Sequence, residues 1–423
     1  MDSCATCHSR RGELNEDFEL GDTYEDHYQL ALPTPPHLYY ADGQVKDEDY
    51  VYGSLLMSKM GHAGVTCFDC HDPHKAQIKM TLDNNALCMQ CHASGTNGRI
   101  SGAQVIIPHE HSFHKFDSTG NQCVECHMTN TVYMGNDPRR DHGFHIPDPL
   151  LTKELGIPNA CNKCHTKEEE TVDWAIEWVD KWYGEKMDRP ERKRTRAVQA
   201  AYDGDRTAIE PLLEWYPQEV NAFWKATLLQ IMQPWAADAR VQNLAVAGTV
   251  HEEPRVRASA AALLEVVPGQ GPRLEQMFKD PVKEVRLAAA WAARRDLSEA
   301  SDIRKEMEAT LDHAADQPLG AHRRAQMAAD RGQLQEAEKW MKKALALDKT
   351  SAGGHEAYAI LLGQMQRAPE ALVQLEMAAK LAPDSSRYPY LMALTHSEMG
   401  NKEDTEKLLR KSVELDPRFD RAL

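Results

Sequence analysis

Ten cysteines and five histidines of this chain recur in one pattern, C-x-x-C-H. The pattern uses every cysteine in the sequence: Cys4 and Cys7, Cys67 and Cys70, Cys88 and Cys91, Cys123 and Cys126, Cys161 and Cys164. The histidines that follow these pairs are His8, His71, His92, His127 and His165. C-x-x-C-H is the attachment pattern of c-type haem, in which two thiols add to the haem vinyl groups and the adjacent histidine binds the iron.

Cysteine pairs also occur in zinc sites, in thioredoxin-like redox motifs and in disulfides. A zinc site takes four ligands, usually from two paired motifs, and five identical units do not divide in that way. A redox C-x-x-C pair has no need of a following histidine. The sequence therefore predicts five covalently bound c-type haems, with the motif histidines as proximal iron ligands.

Further histidines could bind each iron from the opposite side. Fourteen of the nineteen histidines lie in residues 1–165, and nine of these fourteen stand outside the motifs. Methionine is the other common distal ligand, but the surplus of histidines favours bis-histidine ligation. His74 follows a motif histidine closely, so it could reach only a neighbouring iron. His111 and His114 are spaced to serve two irons or to compete for one.

Composition narrows the class of protein. The formal net charge of −16 argues against general affinity for nucleic acid. No apolar run approaches the roughly twenty residues of a membrane-spanning helix. C-type haem is attached outside the cytoplasmic membrane, yet no signal peptide precedes the first motif. We therefore expect that a leader has been removed or that the sequence is part of a longer one, and that the protein is periplasmic or extracellular.

The later part of the chain indicates helical repeats. Ala325, Ala359 and Ala393 recur at one constant interval. This interval matches the period of tetratricopeptide (TPR) repeats, which is about 34 residues. Earlier helices, each with a basic residue leading a small apolar run, resemble HEAT repeats and are expected to start at Arg196, Lys225, Arg257 and Arg286. A generic helical bundle is the alternative for this earlier stretch.

The predicted fold is mainly α, with a loop-rich multihaem cytochrome c domain followed by an α-solenoid. The predicted domains are a pentahaem domain at 1–168, a connecting helix at 169–189, HEAT-like repeats at 190–315 and three TPR repeats at 318–423. Trp174, Trp178 and Trp182 form a stripe on the connecting helix. For this stripe, packing against a haem edge or the next domain is favoured over an electron-relay role.

The runs CATCHSRRGEL, GVTCFDCHDPH, CVECHM, DPRRDHGFHIPDP and GIPNACNKCH are similar to the haem-bearing region of multihaem c-type cytochromes that continue into TPR repeats. The resemblance is close over residues 1–185 and looser over the repeats. It implies an exported bacterial cytochrome whose relatives carry further C-x-x-C-H motifs upstream, so any catalytic haem housed there would be missing here. The same resemblance implies five candidate distal ligands, which are His27, His74, His111, His114 and His142.

Two functions are open at this point. The first is electron transfer, with every haem bound by two protein ligands and the TPR region docking a redox partner protein or peptide. The second is a haem oxidoreductase acting on a small nitrogen or sulfur oxyanion, as nitrite reductases and hydroxylamine oxidoreductases do. Five regular motifs together with the surplus of histidines favour electron transfer, because catalysis needs an open iron position and the extra histidines can fill it. The repeats are also compatible with an oligomer or a larger assembly.

Overall fold

The regular structure of the chain is mainly helical in a computed structural model. The structure describes residues 1–34, 37–75, 77–133 and 135–417. It divides into two units, which consist of residues 1–13 with 17–292 and of residues 14–16 with 293–423. The prediction of a mainly α fold with a solenoid of paired helices is confirmed.

The cysteines of each C-x-x-C-H motif lie on a short helix. Positions i and i+3 are neighbours on one side of a helical turn, so both thiols of a motif can face the same group. The bounds of the short helices in this region are α1 (Asp2–His8), α2 (Tyr24–His27), α3 (Tyr52–Met57), α4 (Lys59–His62), α5 (Cys67–Cys70), α6 (Ala86–His92), α7 (Pro108–Ser112), α8 (Cys123–His127), α9 (Pro149–Leu155) and α10 (Cys161–Cys164). Loops join the motif helices, α1, α5, α6, α8 and α10, to the other short helices of the region.

Short antiparallel strand pairs lie between these helices. The strands are β1 (Arg11–Glu13), β2 (Tyr28–Leu30), β3 (His71–Asp72), β4 (Gln77–Ile78), β5 (Asn130–Tyr133) and β6 (Asp137–Arg140). β1 pairs with β2, β3 with β4, and β5 with β6. His71 begins β3, and β6 leads directly into His142, so these hairpins position two of the histidines considered below.

Longer helices follow the last motif and pack in sequence. They are α11 (Val172–Tyr183), α12 (Glu191–Tyr202), α13 (Ile209–Trp215), α14 (Ala222–Ile231), α15 (Ala239–Gly248), α16 (Pro254–Leu264), α17 (Gly271–Met277) and α18 (Lys283–Ala292). α16 packs between α14 and α18. The expected starts at Arg196, Lys225, Arg257 and Arg286 fall inside α12, α14, α16 and α18, each of which begins a few residues earlier. Their assignment to HEAT repeats remains a prediction.

The second unit contains the helix pairs of the TPR region. Its helices are α19 (Asp302–His313), α20 (Pro318–Asp330), α21 (Leu334–Leu347), α22 (Ala352–Gln364), α23 (Ala368–Leu381), α24 (Arg387–Glu398) and α25 (Lys402–Leu415). The second helices of the three pairs, α21, α23 and α25, begin one repeat period apart and have 14 residues each. Ala325, Ala359 and Ala393 are buried where the helices touch. The predicted TPR period is confirmed. The last residues of the predicted TPR domain, 418–423, lie outside the described part of the chain.

Candidate haem-binding site

The ten cysteines are free thiols, so disulfides do not account for them. Across the described ranges, no group of three or more His, Cys, Asp or Glu side chains is arranged to hold a metal ion. A zinc site would need four such ligands in most cases. Each motif instead offers two thiols and one adjacent histidine, which is the donor set that fits covalent attachment of a haem.

Cysteines of successive motifs are close neighbours. Burial and the adjacent Cys4 thiol raise the pKa of Cys67 to about 11. A hydrogen bond from Cys88 lowers the pKa of Cys123 to about 7. These contacts join the first motif to the second and the third motif to the fourth.

The remaining neighbours complete the series. Burial, and then the charge of Cys91, raises the pKa of Cys70. Burial, and then the charges of Cys161 and Cys164, raises the pKa of Cys126 to about 12. In each successive pair of motifs along the chain, a cysteine of one motif therefore influences the pKa of a cysteine of the other.

Three pairs of histidine rings face each other in this region. The pairs are His71 with His142, His111 with His127, and His114 with His165. Their ring centres are 6.4, 6.1 and 6.1 Å apart, and their planes make angles of 24°, 17° and 50°. With a metal–nitrogen bond of about 2 Å and a ring radius of roughly 1.1 Å, two imidazoles on opposite sides of one metal ion have centres about 6 Å apart. The spacing of all three pairs fits a shared iron.

In several histidines of this region, Nδ1 donates a hydrogen bond to a backbone carbonyl. A histidine that donates from Nδ1 keeps the lone pair of Nε2 for a metal, and such second partners orient metal-binding imidazoles in general. The Nδ1–acceptor distances are 2.6 Å for His114 with Ser112, 2.7 Å for His127 with His145, 2.9 Å for His142 with Arg140, and 2.8 Å for His92 with Gln104. In the fifth motif the acceptor is a carboxylate, because Nδ1 of His165 lies 3.1 Å from Oε1 of Glu170.

Burial also keeps paired histidines neutral. It lowers the pKa of His71, His111, His127 and His142. A neutral imidazole is the form that binds a metal. Burial of these side chains therefore favours the form that a haem iron requires.

The segment from Arg140 to His145 contacts residues of two different motifs. The guanidinium of Arg140 donates to the carbonyls of Val124 and Met128, and its other nitrogen lies 2.6 Å from Oε1 of Glu125. These bonds hold the segment against α8, the helix of the fourth motif. His142, which faces the histidine of the second motif, is thus attached to the helix of the fourth.

Asp141 closes this segment into a turn. Its buried carboxylate accepts hydrogen bonds from the backbone N–H groups of Val45 at 2.9 Å and Gly143 at 2.7 Å, and it lies 3.3 Å from Nε2 of His145. A Cβ at Gly143 would lie 2.1 Å from Nε2 of His145, so the turn requires glycine. His145, Asp141 and Glu170 therefore help to position histidines of the three pairs, a role that the sequence analysis did not assign.

The other predicted site residues lie apart from the three pairs. His27 is buried, with Nε2 3.0 Å from Asp22 and its ring against Phe18. His74 is exposed and its backbone N–H donates to Asp72. Within the described part of the chain, ring contacts do not bring His27 or His74 to a motif histidine. α2, which ends at His27, packs against α1, which ends at His8.

Two protein-family models match parts of the chain. The doubled CXXCH motif model matches residues 61–97, which contain the second and third motifs. A tetratricopeptide repeat model matches residues 387–419, the third repeat. The chain thus contains a haem-binding paired motif and a repeat of a type that mediates contacts between proteins. A comparison with curated protein sequences finds no match.

Solved structures of MamA and IFIT1 show some likeness to the chain. A MamA structure from MSR-1 has 19% identity, with coverage of 44% of this chain and 98% of that chain, at a TM-score of 0.29. A second MamA crystal structure has 12% identity, with coverage of 53% and 96%, at a TM-score of 0.25. A monomeric IFIT1 mutant with Gppp-AAAA has 12% identity, with coverage of 57% and 65%, at a TM-score of 0.32.

No helix in the part of the chain that the structure describes is both long enough and apolar enough to cross a bilayer.

Proposed function

We propose that the chain is a multihaem c-type cytochrome that carries electrons through five covalently bound haems. The observation that carries this proposal is the set of three histidine pairs, each with ring centres 6.1–6.4 Å apart. Haem, when bound, supplies a one-electron couple whose potential is set by its axial ligands and their hydrogen bonds. The polypeptide supplies the attachment cysteines, the axial histidines and the spacing between motifs.

The pairs suggest which histidines share an iron. In the second motif, His71 is the proximal ligand and His142 the distal one. The fourth motif combines His127 with His111, and the fifth combines His165 with His114. His8 and His92 are the proximal ligands of the first and third motifs. His27 and His74 are retained as distal candidates, His27 because α2 packs against the helix of the first motif.

The regions of the chain have separate roles in this proposal. Residues 1–168 hold the haems, and 169–189 connect them to HEAT-like repeats at 190–315. The TPR repeats at 318–423 dock a redox partner protein or peptide. Covalent attachment of c-type haem implies a periplasmic or extracellular location.

Two measurements on the full chain test the proposal. Mass spectrometry and the pyridine haemochrome assay should both give five haems per chain. EPR of the oxidised protein should show only low-spin iron, because every haem has two strong axial ligands. The competing proposal, a haem oxidoreductase for a small nitrogen or sulfur oxyanion, predicts a high-spin ferric signal and nitrite binding at one haem. Fewer than five haems would contradict the assignment of one or more motifs.

A further inference from the structure

The helix after the fifth motif carries three tryptophans on one side. Thr171 caps the start of α11, because its side chain accepts a hydrogen bond from the backbone N–H of Trp174 at 3.2 Å. Trp178 and Trp182 follow at i+4 and i+8, so the three indoles lie one above the other. Successive ring centres are 6.2 and 5.5 Å apart. We call these three side chains the tryptophan arc.

Both ends of the tryptophan arc contact one histidine pair. Trp174 lies 4.7 Å from His165, and Trp182 lies 5.9 Å from His114, measured between ring centres. The two histidines are themselves 6.1 Å apart. The contacts among the five side chains thus form a closed cycle, in which Trp178 links the two indoles that contact the imidazoles.

The end of α11 also holds the backbone next to His114. Phe113 stacks on Trp182 with ring centres 5.0 Å apart and planes only 5° from parallel. Phe113 has a φ of +58°, a left-handed conformation that is unfavourable for a bulky residue and needs support from its surroundings. Tyr183 adds to this support because its hydroxyl donates to the carbonyl of His111 at 2.6 Å. α11 therefore restrains the segment that carries His111 and His114.

We propose that the tryptophan arc is a positioning device that sets the relative orientation of the axial histidines His114 and His165. The inference rests on the proposed function, because it assigns these two histidines to one haem. Their planes differ by 50°, whereas the other two pairs differ by 24° and 17°. Aromatic contacts with preferred edge and offset geometries at both rings can hold such an angle.

The arc is a poor route for electrons. It begins and ends on the same histidine pair, so it leads to no second motif. Oxidising an indole also requires a much stronger oxidant than a bis-histidine haem. Positioning and exclusion of water from one side of the fifth haem are the roles that this geometry supports.

The orientation of axial imidazoles has a spectroscopic consequence. Near-parallel planes separate the iron d orbitals more than strongly twisted planes do, so the low-spin EPR signal with the larger gmax should belong to the twisted pair. The fifth haem should therefore give a signal distinct from those of the second and fourth. Replacing His114 with methionine, which changes the ligand of that haem alone, identifies the signal.

The test uses the full haem-loaded chain and the substitutions Trp174→Leu and Trp182→Leu. Each should move the gmax of the fifth-haem signal and shift the midpoint potential of that haem, while the other signals stay in place. Trp340→Leu, at a partly buried tryptophan of a TPR helix, is the matched control and should leave the spectrum unchanged. An unmoved fifth-haem signal in both arc variants would overturn the inference.

If Trp174→Leu or Trp182→Leu loses the fifth haem, Trp178→Leu becomes the deciding variant. Trp178 is the middle member of the arc and interacts with its two neighbouring indoles. A moved signal in this variant supports the positioning role, and an unchanged spectrum contradicts it. A wild-type protein without five low-spin haems would instead contradict the proposed function, so the two failures are distinguishable.

Discussion

The backbone carbonyl of His145 accepts a hydrogen bond from Nδ1 of His127 at 2.7 Å. His145 thereby orients the proximal histidine of the fourth motif, although its own side chain is turned toward Asp141. Slightly earlier in the same turn, His142 faces the histidine of the second motif. One short turn therefore positions two histidines that the proposed function assigns to two different haems, and a change in it should affect both.

Substitution of Gly143 by alanine tests this shared turn. The new Cβ would lie 2.1 Å from Nε2 of His145, so the histidine must move and its carbonyl must shift relative to His127. Crowding of this kind costs about 1–3 kcal/mol in buried sites. We expect lower stability in urea and altered EPR signals of the second and fourth haems. Gly12→Ala, where a Cβ has open space, is the control. A change confined to one haem would contradict the shared role.

Replacing Glu170 with glutamine should raise the potential of the fifth haem. The carboxylate beside Nδ1 of His165 makes that imidazole a more basic ligand, which favours ferric iron. The expected rise is on the order of tens of millivolts, where about 59 mV corresponds to a tenfold change for one electron. Spectroelectrochemistry measures the shift. Glu168→Gln, an exposed neighbour, provides the matched control, and a lowered potential in the Glu170 variant would refute the argument.

Glu284 should make the first unit less stable at alkaline pH. Burial raises its pKa to about 8, against the attraction of Arg255 and with a contribution from Glu25. The folded state therefore holds a proton that the unfolded state releases near pH 4.5, and stability falls as the pH rises from 4.5 through 8. Glu284→Gln should remove this loss, which is on the order of a few kcal/mol. Urea denaturation at pH 5 and 8.5 measures it.

The control for the titration is Glu275→Gln, at an exposed position on α17. It should keep the pH dependence of the wild-type protein. If the free energy of unfolding depends on pH equally in the wild-type protein and in Glu284→Gln, Glu284 is ionised in the folded state at neutral pH.

Ala359→Leu should destabilise the TPR region. Ala359 is 4% exposed at a helix contact, and added methylene groups in a packed core cost about 1–3 kcal/mol. Ala346→Leu makes the same change at an exposed position of α21 and should be close to neutral. Thermal unfolding monitored by circular dichroism compares the two. Equal effects would mean that the repeat contact at position 359 is not tightly packed.

Local patterns in the sequence were sufficient for part of this description. The C-x-x-C-H motifs and the TPR period depend only on short spacings, and the structure places both on the expected helices. The pairing of histidines was not readable, because His71 and His142 are far apart in the chain and meet through tertiary contacts such as that of Arg140 with α8. His142 and His145 look alike in the run DHGFH, yet one faces a motif histidine and the other faces Asp141. Gly143 was the available signal, since a small residue there allows the turn.

The direction of each histidine pair along the chain bears on how the protein matures. His111 and His114 precede the motif histidines that they face, so in the exported cytochrome that we propose both would leave the translocation channel before the fourth and fifth motifs. His142 instead lies far downstream of its partner, beyond the third and fourth motifs. A haem attached early at the second motif would therefore wait with one protein ligand until the later turn arrives. During that interval its second axial position would be open to exogenous ligands.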